Sequence, residues 1–133
     1  MYEKRIEIRW SDMDAYGHVN NATYLTYLEE ARDEWMQRLL ADSEQAGFVL
    51  ARVAIDFRKE LTQDDDIVVA RCLPTRLGRS SIHTHEEVLF EDGTISAEAE
   101  AVIVATDAHT REPRPLSAAE RAAVDAQIRR GPN

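Results

Sequence analysis

The segment SDMDAYGHVNN, residues 11–21, concentrates residue types that can do chemistry. Asp14 precedes Gly17 by three positions, and Asn20 and Asn21 stand just before an apolar run with helical spacing. Loops rich in such turn-forming residues are also where proteins place catalytic side chains. A loop carboxylate can attack a carbonyl carbon itself, or it can take a proton from an attacking water. Asp14 is therefore the candidate nucleophile or general base.

A helix after this loop would supply the other half of such chemistry. Apolar residues recur at steps of three and four over about five turns, namely Tyr24, Leu25, Tyr27, Leu28, Ala31, Trp35, Met36, Leu39 and Leu40. Asn20 or Asn21 is a good N-cap for this helix. The first amides of a helix lack acceptors within the helix, and the helix dipole adds partial positive charge there. We expect this end to stabilise an anion, including the oxyanion of an attacked carbonyl group.

Other polar residues of the segment also have structural interpretations. Asp12 is expected to be a solvated turn carboxylate. His18 either satisfies a backbone carbonyl group or holds Asp14 or a substrate, and the sequence leaves both possibilities open. Tyr24 has the spacing of a core residue, although a position one turn into the helix can also face the site.

Composition limits the partners that the chain can have. Its 133 residues are 44% hydrophobic, which suits a single domain over residues 1–133. A formal net charge of -9 disfavours nucleic acid and anionic membranes as partners. The N-terminal residues lack a signal-peptide pattern, and no apolar run is long enough to span a bilayer. We therefore expect a cytoplasmic protein.

Cysteine and histidine positions give no indication of a metal centre. The sequence contains a single cysteine, Cys72, which excludes an intramolecular disulfide and a cysteine metal site. His83 and His85 share a strand face by their two-residue step, but no third ligand is evident nearby. We predict that the protein needs no metal ion and no cofactor.

Strands make up most of the remaining chain. The alternation of Ile6, Ile8 and Trp10 predicts a first strand, and further strands are predicted at residues 47–61, 66–77, 79–90 and 94–107. Pro74 marks an edge or a bulge, and Asp92-Gly93 suits a hairpin turn. Ser117 has capping-box spacing and predicts a short, exposed final helix. Hairpin connections favour an α+β fold in which a mostly antiparallel five-stranded sheet wraps the long helix.

This element order and the opening motif resemble the hotdog-fold acyl-CoA thioesterases of the 4-hydroxybenzoyl-CoA thioesterase-like family. The motif is Asp14-x-x-Gly17-His18-Val19-Asn20-Asn21-x-x-Tyr24, followed by YLEEAR at 27–32, with weaker matches in IDFRKEL at 55–61 and LGRSS at 77–81. The resemblance implies an enzyme that hydrolyses an acyl-CoA or aroyl-CoA thioester to the free acid and coenzyme A. It also implies a homodimer or homotetramer with the site at the subunit boundary.

The resemblance further implies roles for individual residues. Asp14 corresponds to the catalytic carboxylate of the family, and the backbone amide of Asn21 corresponds to its oxyanion donor. Gly17 would let the chain turn close to the substrate. The substrate-binding candidates of this segment are His18, Asn20 and Tyr24, of which Tyr24 matches a position near the acyl group.

Basic residues elsewhere are candidates for the phosphates of coenzyme A. They are Arg58, Lys59, Arg76, Arg79 and Arg111. Arg76 and Arg79 flank Leu77-Gly78, where a turn could present both side chains and a free amide to one phosphate. That pair is the preferred anchor.

Two other functions fit the same residues. Asp14 and His18 would also suit the acid and base of a hotdog enoyl-CoA hydratase or dehydratase. A non-catalytic module that binds acyl-CoA or acyl carrier protein could share the fold, although the acidic surface disfavours an acidic carrier protein. The acyl chain, short, long or aromatic, stays open because pocket depth depends on which side chains face inward.

Overall fold

The alternating segments of the chain form five strands of one sheet. In the computed structural model, which describes residues 1–41 and 47–132, the strands are β1 (Tyr2–Glu7), β2 (Gly47–Phe57), β3 (Ile67–Leu77), β4 (Ser81–Phe90) and β5 (Ile95–Thr106). The helices are α1 (Asn21–Leu39) and α2 (Ala118–Arg130). The sheet order is β1-β3-β4-β5-β2, and every neighbouring pair is antiparallel. The predicted α+β class and five-stranded sheet are confirmed.

Helix α1 packs across β1, β3 and β4 with its apolar face toward the sheet. The buried residues of this face include Tyr27, Leu28, Ala31 and Trp35, each at most 2% exposed. Complete burial of one large apolar side chain contributes roughly 1.5–3 kcal/mol relative to exposure. These contacts fix the axis of α1 on the sheet, and they therefore fix the position of its first turn.

An ion pair inside this core also sets the position of α1. Arg32 Nε and Nη2 donate to the two carboxylate oxygens of Glu86 on β4, at 2.9 Å and 2.7 Å. The Thr84 hydroxyl donates to the same carboxylate at 2.7 Å. Because both charged side chains are buried, removal of one partner would leave the other uncompensated, at a cost of about 3–5 kcal/mol.

Two strands end earlier than predicted, so these two predictions are wrong. β1 ends at Glu7, and Trp10 starts a 3₁₀ turn with its side chain 79% exposed. The chain turns there because the Arg9 amide donates to the Asp12 carboxylate at 2.9 Å. β2 ends at Phe57, because the next two amides both donate to the backbone oxygen of Ser96. The bulge predicted at Pro74 is confirmed by a register shift between Pro74 and Arg76.

The predicted final helix begins at its expected cap, because the amide of Glu120 donates to the Ser117 hydroxyl at 3.1 Å. The expectation that this helix is exposed is wrong, since Glu120 and Val124 are buried where α2 packs on β3. The predicted hairpin turn at Asp92-Gly93 is confirmed, with Gly93 at a φ of 91°. No helix within residues 1–41 and 47–132 has the length and apolar character needed to cross a membrane.

Candidate active site

Asp12 anchors the loop between β1 and α1. Its carboxylate is 3% exposed and accepts from the Arg9 amide at 2.9 Å and from the Tyr27 hydroxyl at 2.8 Å. Burial opposes its ionisation, but these hydrogen bonds and the Arg9 guanidinium together hold the pKa of Asp12 below its usual value. The prediction of a solvated turn carboxylate is therefore wrong: Asp12 joins the loop to the first turns of α1.

Residues 13–19 form a tight turn above this anchor. Met13 and Val19 pair as an isolated antiparallel bridge. The Asp14 amide donates to the His18 oxygen at 2.9 Å, and the Gly17 amide donates to the Asp14 oxygen at 3.2 Å. Gly17 has a φ of 84°, a region that other residues rarely adopt. The turn brings the side chains of Asp14 and His18 together.

The Asp14 carboxylate lies against the His18 ring. One oxygen, Oδ1, accepts from the Tyr16 amide at 2.8 Å, and Oδ2 lies 3.3 Å from His18 Nδ1. The Asp14 side chain is 19% exposed, so it is partly shielded by its neighbours and is not directed into bulk water. Both interpretations of His18 find a contact in the structure, because Nδ1 lies near the Asp14 carboxylate and makes a hydrogen-bond contact of 3.4 Å with the Val19 backbone oxygen.

The start of α1 contributes a backbone amide group to the candidate site. Asn20 is the N-cap, and its side chain accepts from the Ala22 amide at 2.9 Å. The Thr23 amide donates to the Asn20 backbone oxygen at 2.9 Å. The Asn21 amide has no acceptor among residues 1–41 and 47–132. The cap thus occupies the neighbouring donors and leaves the Asn21 amide available to a ligand.

A cleft of about 330 Å³ opens at this end of α1. Its lining joins the loop, the helix start and the segment after β2, through His18, Val19, Asn21, Tyr24, Phe57, Arg58, Lys59 and Glu60. Asp14 is not one of these lining residues, but its carboxylate contacts the lining residue His18 at 3.3 Å. A helix N-terminus, an imidazole and two cations therefore meet at one cleft.

Tyr24 contributes its ring to the cleft, while its hydroxyl group is engaged in the structure. The hydroxyl lies 3.0 Å from Ser96 Oγ and accepts from the Leu61 amide at 3.2 Å. Ser96 Oγ donates to the Lys59 oxygen at 2.6 Å, so the Tyr24 hydroxyl is the donor to Ser96. The ring meets Phe57 edge to face, with 5.1 Å between centroids. Tyr24 is thus both a core residue and a wall of the cleft.

The predicted cationic residues divide between two ends of the sheet. Arg58 and Lys59 line the cleft. Phe57 of the cleft is aligned, through β5 and β4, with Ala70 on β3. Arg76 lies six positions farther along β3, on the order of 20 Å away at the rise of a strand, and Arg79 follows in the next turn. Within one chain, the preferred Arg76–Arg79 pair does not join the cleft, so its role as a phosphate anchor stays a prediction.

The two strand histidines, His83 and His85, lie outside the cleft. His83 Nδ1 is 3.2 Å from the Arg76 guanidinium, and His85 Nδ1 is 2.9 Å from the Glu100 carboxylate. Within residues 1–41 and 47–132, no three His, Cys, Asp or Glu side chains converge in a way that could hold a metal ion.

Sequence reasoning missed Glu60 and Phe57 as cleft residues. Glu60 Oε2 lies 3.8 Å from His18 Nε2. Phe57 and Glu60 both belong to the segment IDFRKEL, in which only the cations stand out as candidates by residue type. The signal that the sequence offered is Leu61, an apolar residue directly after Glu60. Leu61 is buried in the core near the helix start, and it therefore holds Glu60 close to the cleft.

Comparisons with known proteins identify the family of this chain. Residues 8–127 match the thioesterase-like superfamily. The long-chain acyl-CoA thioesterase FadM of Escherichia coli K12 is 30% identical over 116 residues, 83% of this chain and 86% of FadM. The acyl-CoA thioester hydrolase YbgC of Escherichia coli O157:H7 is 26% identical over 118 residues, 84% of this chain and 86% of YbgC.

A solved structure also matches. A thioesterase from Thermus thermophilus, crystallised with coenzyme A and zinc, superposes with a TM-score of 0.83 at 32% identity, covering 96% of this chain and 94% of that one. The predicted hotdog fold is confirmed by this match.

Proposed function

The chain belongs to the thioesterase-like superfamily, and from that premise we propose that it hydrolyses acyl-CoA or aroyl-CoA thioesters to the free acid and coenzyme A. Its relatives FadM and YbgC carry the names of acyl-CoA thioesterase and acyl-CoA thioester hydrolase. The observation that carries the proposal is that Asn21 and His18, which Asp14 contacts at 3.3 Å, line one cleft.

In this proposal the start of α1 is the oxyanion site. The Asn21 amide donates to the carbonyl oxygen as negative charge develops on it, and the helix dipole supports that charge. Loss of one such donor typically lowers kcat by about 100-fold to 1,000-fold. The cap on Asn20 favours this role because it occupies the neighbouring amide of Ala22 and leaves the amide of Asn21 for the substrate.

Asp14 supplies the basic half of the reaction. It attacks the carbonyl carbon as a nucleophile, or it acts as general base on water, directly or through the His18 ring that it contacts. A free thiol has a pKa of about 8.5, so the departing thiolate needs little help from an acid. A single basic group is therefore sufficient for hydrolysis.

The coenzyme A phosphates are assigned to cations in this proposal. Arg58 and Lys59 stand at the cleft, although the Arg58 guanidinium also lies 3.2 Å from Glu98. Arg76 and Arg79 could contribute only from a second subunit, because they lie at the far end of the sheet of their own chain. Their contribution therefore requires the assembly proposed next.

We expect this assembly to be a homodimer or homotetramer that pairs through β2. This strand is at the edge of the sheet, so one row of its backbone groups lacks a strand partner within the described residues. Its exposed apolar side chains include Val49, Leu50 and Phe57. Phe57 also lines the cleft, so pairing at this edge would bring the site to the subunit boundary. Sedimentation at working concentration tests this, and a strictly monomeric chain would contradict it.

A thiol-release screen tests the proposed reaction. Purified protein is incubated with acetyl-CoA, octanoyl-CoA, palmitoyl-CoA and benzoyl-CoA, and released coenzyme A is measured with a thiol reagent. We expect release from at least one of them, and we expect Asp14→Asn to lower kcat by about 100-fold or more. Activity of Asp14→Asn within a few-fold of wild type would remove Asp14 from the mechanism.

Crotonyl-CoA distinguishes the alternative functions in the same assay. Loss of the double-bond absorbance without thiol release would indicate a hydratase. Tight binding of a non-hydrolysable acyl-CoA, with no thiol release from any thioester of the screen, would indicate a binding module.

A further inference from the structure

The two ring nitrogens of His18 have different surroundings. Nδ1 lies 3.3 Å from Asp14 Oδ2 and 3.4 Å from the Val19 backbone oxygen. A carboxylate and a carbonyl group only accept hydrogen bonds, and both lie nearer to Nδ1 than Glu60 lies to Nε2, so the geometry favours the Nδ1–H tautomer of the neutral ring. Nε2 then keeps its lone pair, and its neighbour is Glu60 Oε2 at 3.8 Å. Both His18 and Glu60 line the cleft.

We infer, on the basis of the thioesterase function proposed above, that His18 Nε2 is the atom that takes the proton of the attacking water. Asp14 then acts through His18 as a positioning residue, since it holds the Nδ1–H tautomer and supports positive charge on the ring. Glu60 supports the same charge from the cleft side. This assignment favours the general-base form of the reaction over direct attack by Asp14.

The other charged and titratable groups near the His18 ring do not cancel the effect of the two carboxylates. Those that face it from the loop and from the segment after β2 are Asp14, Tyr16, Arg58, Lys59 and Glu60. The Tyr16 ring stacks on the imidazole with 6.2 Å between centroids. The cations have other partners, because Arg58 pairs with Glu98 at 3.2 Å and the Lys59 ammonium lies 4.8 Å over the Phe90 ring. The charges directed at the ring are therefore the two carboxylates.

The reaction balances along this route. The water oxygen bonds to the thioester carbonyl carbon as one water proton passes to His18 Nε2, which gives an imidazolium and a tetrahedral oxyanion at the Asn21 amide. The oxyanion re-forms the carbonyl group, the carbon–sulfur bond breaks, and its electron pair leaves with sulfur. The imidazolium returns its proton to the thiolate. The products are the carboxylic acid and the thiol, with the base regenerated.

The pH dependence of thiol release from octanoyl-CoA and benzoyl-CoA tests the assignment. Wild-type kcat/KM should fall as the pH is lowered through the range in which imidazoles protonate, whereas a carboxylate base would keep its activity to lower pH. His18→Gln should lower kcat by about 100-fold and abolish this fall. Imidazole added to His18→Gly should restore part of the rate, which it could not do if His18 were only structural.

His85→Gln is the matched control, because His85 also lies between two carboxylates but on a strand away from the cleft. We expect both its rate and its pH profile to equal those of wild type. Thiol release with an unchanged pH profile in His18→Gln would overturn the inference alone. Absence of thiol release from every acyl-CoA would instead overturn the proposed function, and the inference with it.

Glu60→Gln tests the second carboxylate. Its loss should lower kcat by a few-fold at most, because Glu60 is 69% exposed and exposed charge pairs are weak. A readout that needs no turnover is the ¹⁵N NMR spectrum of the histidine rings. It should show the Nδ1–H tautomer of the neutral His18 ring, in wild type and in Glu60→Gln. The Nε2–H tautomer would overturn the inference.

Discussion

Two histidines of this chain, His18 and His85, each lie between two carboxylates, and their surroundings differ. The nitrogen-to-oxygen distances are 3.3 Å and 3.8 Å at His18, and 2.9 Å and 3.5 Å at His85. His85 stands on β4, next to Glu86, whose side chain faces α1. Since successive strand residues point to opposite faces, His85 points away from α1. His18 stands on a loop at the start of α1 and lines the cleft.

The charges around a histidine therefore do not by themselves make it catalytic. Burial opposes protonation of His85, but the hydrogen bond and charge of Glu100 and the charge of Glu87 outweigh it and raise the pKa of His85. That is the behaviour of a surface ion pair. A base is useful where donors for the developing oxyanion stand on the other side of the reacting carbon. The start of α1 offers such a donor beside His18, whereas β4 is paired on both sides.

The most severe test of this difference removes the amide donor of Asn21. Asn21 is the first residue of α1, a position where proline is well tolerated, and Asn20 already has the extended backbone, φ -59° and ψ 135°, that proline requires before it. Asn21→Pro should therefore fold normally and lower kcat by about 100-fold to 1,000-fold, because the amide hydrogen is gone. Thiol-release kinetics and a thermal melt measure the two effects.

Asn21→Ala is the control for this substitution, because it removes the side chain and keeps the amide. We expect its kcat within a few-fold of wild type. Equal losses in the alanine and proline variants would show that the side chain, and not the helix amide, matters. In that case the comparison between His18 and His85 would lose its basis.

The two histidines also differ in their structural support, since His18 lies on a loop and His85 lies on strand β4 of the sheet. Asp12 anchors that loop through the Tyr27 hydroxyl and the Arg9 amide. Asp12→Asn should lower the free energy of unfolding by about 1–3 kcal/mol at neutral pH, because it leaves buried donors poorly paired. It should also lower kcat, since Asp14 and His18 lose their fixed position. Urea denaturation and thiol release measure these losses.

The stability that Asp12→Asn removes should depend on pH in a definite direction. The pKa of Asp12 is lowered by folding, so its contribution is present above the unfolded value of about 3.8 and is lost as pH falls through the folded value. The stability difference between wild type and Asp12→Asn should therefore be constant from about pH 5 to 7 and shrink below about pH 4. A difference that grows in acid would contradict this role of Asp12.

The sequence predicted the elements well where local patterns determine them. The apolar spacing of α1 and the turn chemistry at Gly93 are properties of neighbouring residues, and both predictions are confirmed. The prediction of a strand through Trp10 is wrong. The alternation of apolar and polar residues continues to Trp10, but the strand ends at Glu7. The turn that ends β1 depends on the Asp12 carboxylate, and its burial depends on Tyr27, fifteen residues away. Such contacts exist only after α1 docks on the sheet.

The candidate site was predictable in part for the same reason. Asp14, Gly17 and Asn21 belong to one motif, so their proximity follows from the chain itself. Glu60 joins them only because Leu61 is buried beside the helix start. The separation of Arg76 from the cleft follows from strand register, which the sequence did not determine.

Backbone strain gives a smaller test, with a control in the chain. Gly17 and Gly93 have φ angles of 84° and 91°, and a Cβ atom at either would meet nothing within 4 Å. Gly17→Ala and Gly93→Ala should each cost about 1 kcal/mol of stability through the same backbone strain. Only Gly17→Ala should also lower kcat, because its turn positions Asp14 against His18. Equal kcat values in the two variants would argue against a functional role for this turn.

The smallest effect is expected at His85 itself. Because folding raises its pKa, its stabilising contribution is full below the unfolded value of about 6.5 and disappears as pH rises through the folded value. Glu100 is 63% exposed, so solvent screens the pair, and we expect wild type to exceed His85→Gln by only about 0.5 kcal/mol near pH 5.5. The difference should vanish by about pH 9 and weaken in high salt. Urea denaturation across this pH range measures it, and a loss of thiol release in His85→Gln would mean that the two histidines are not functionally distinct.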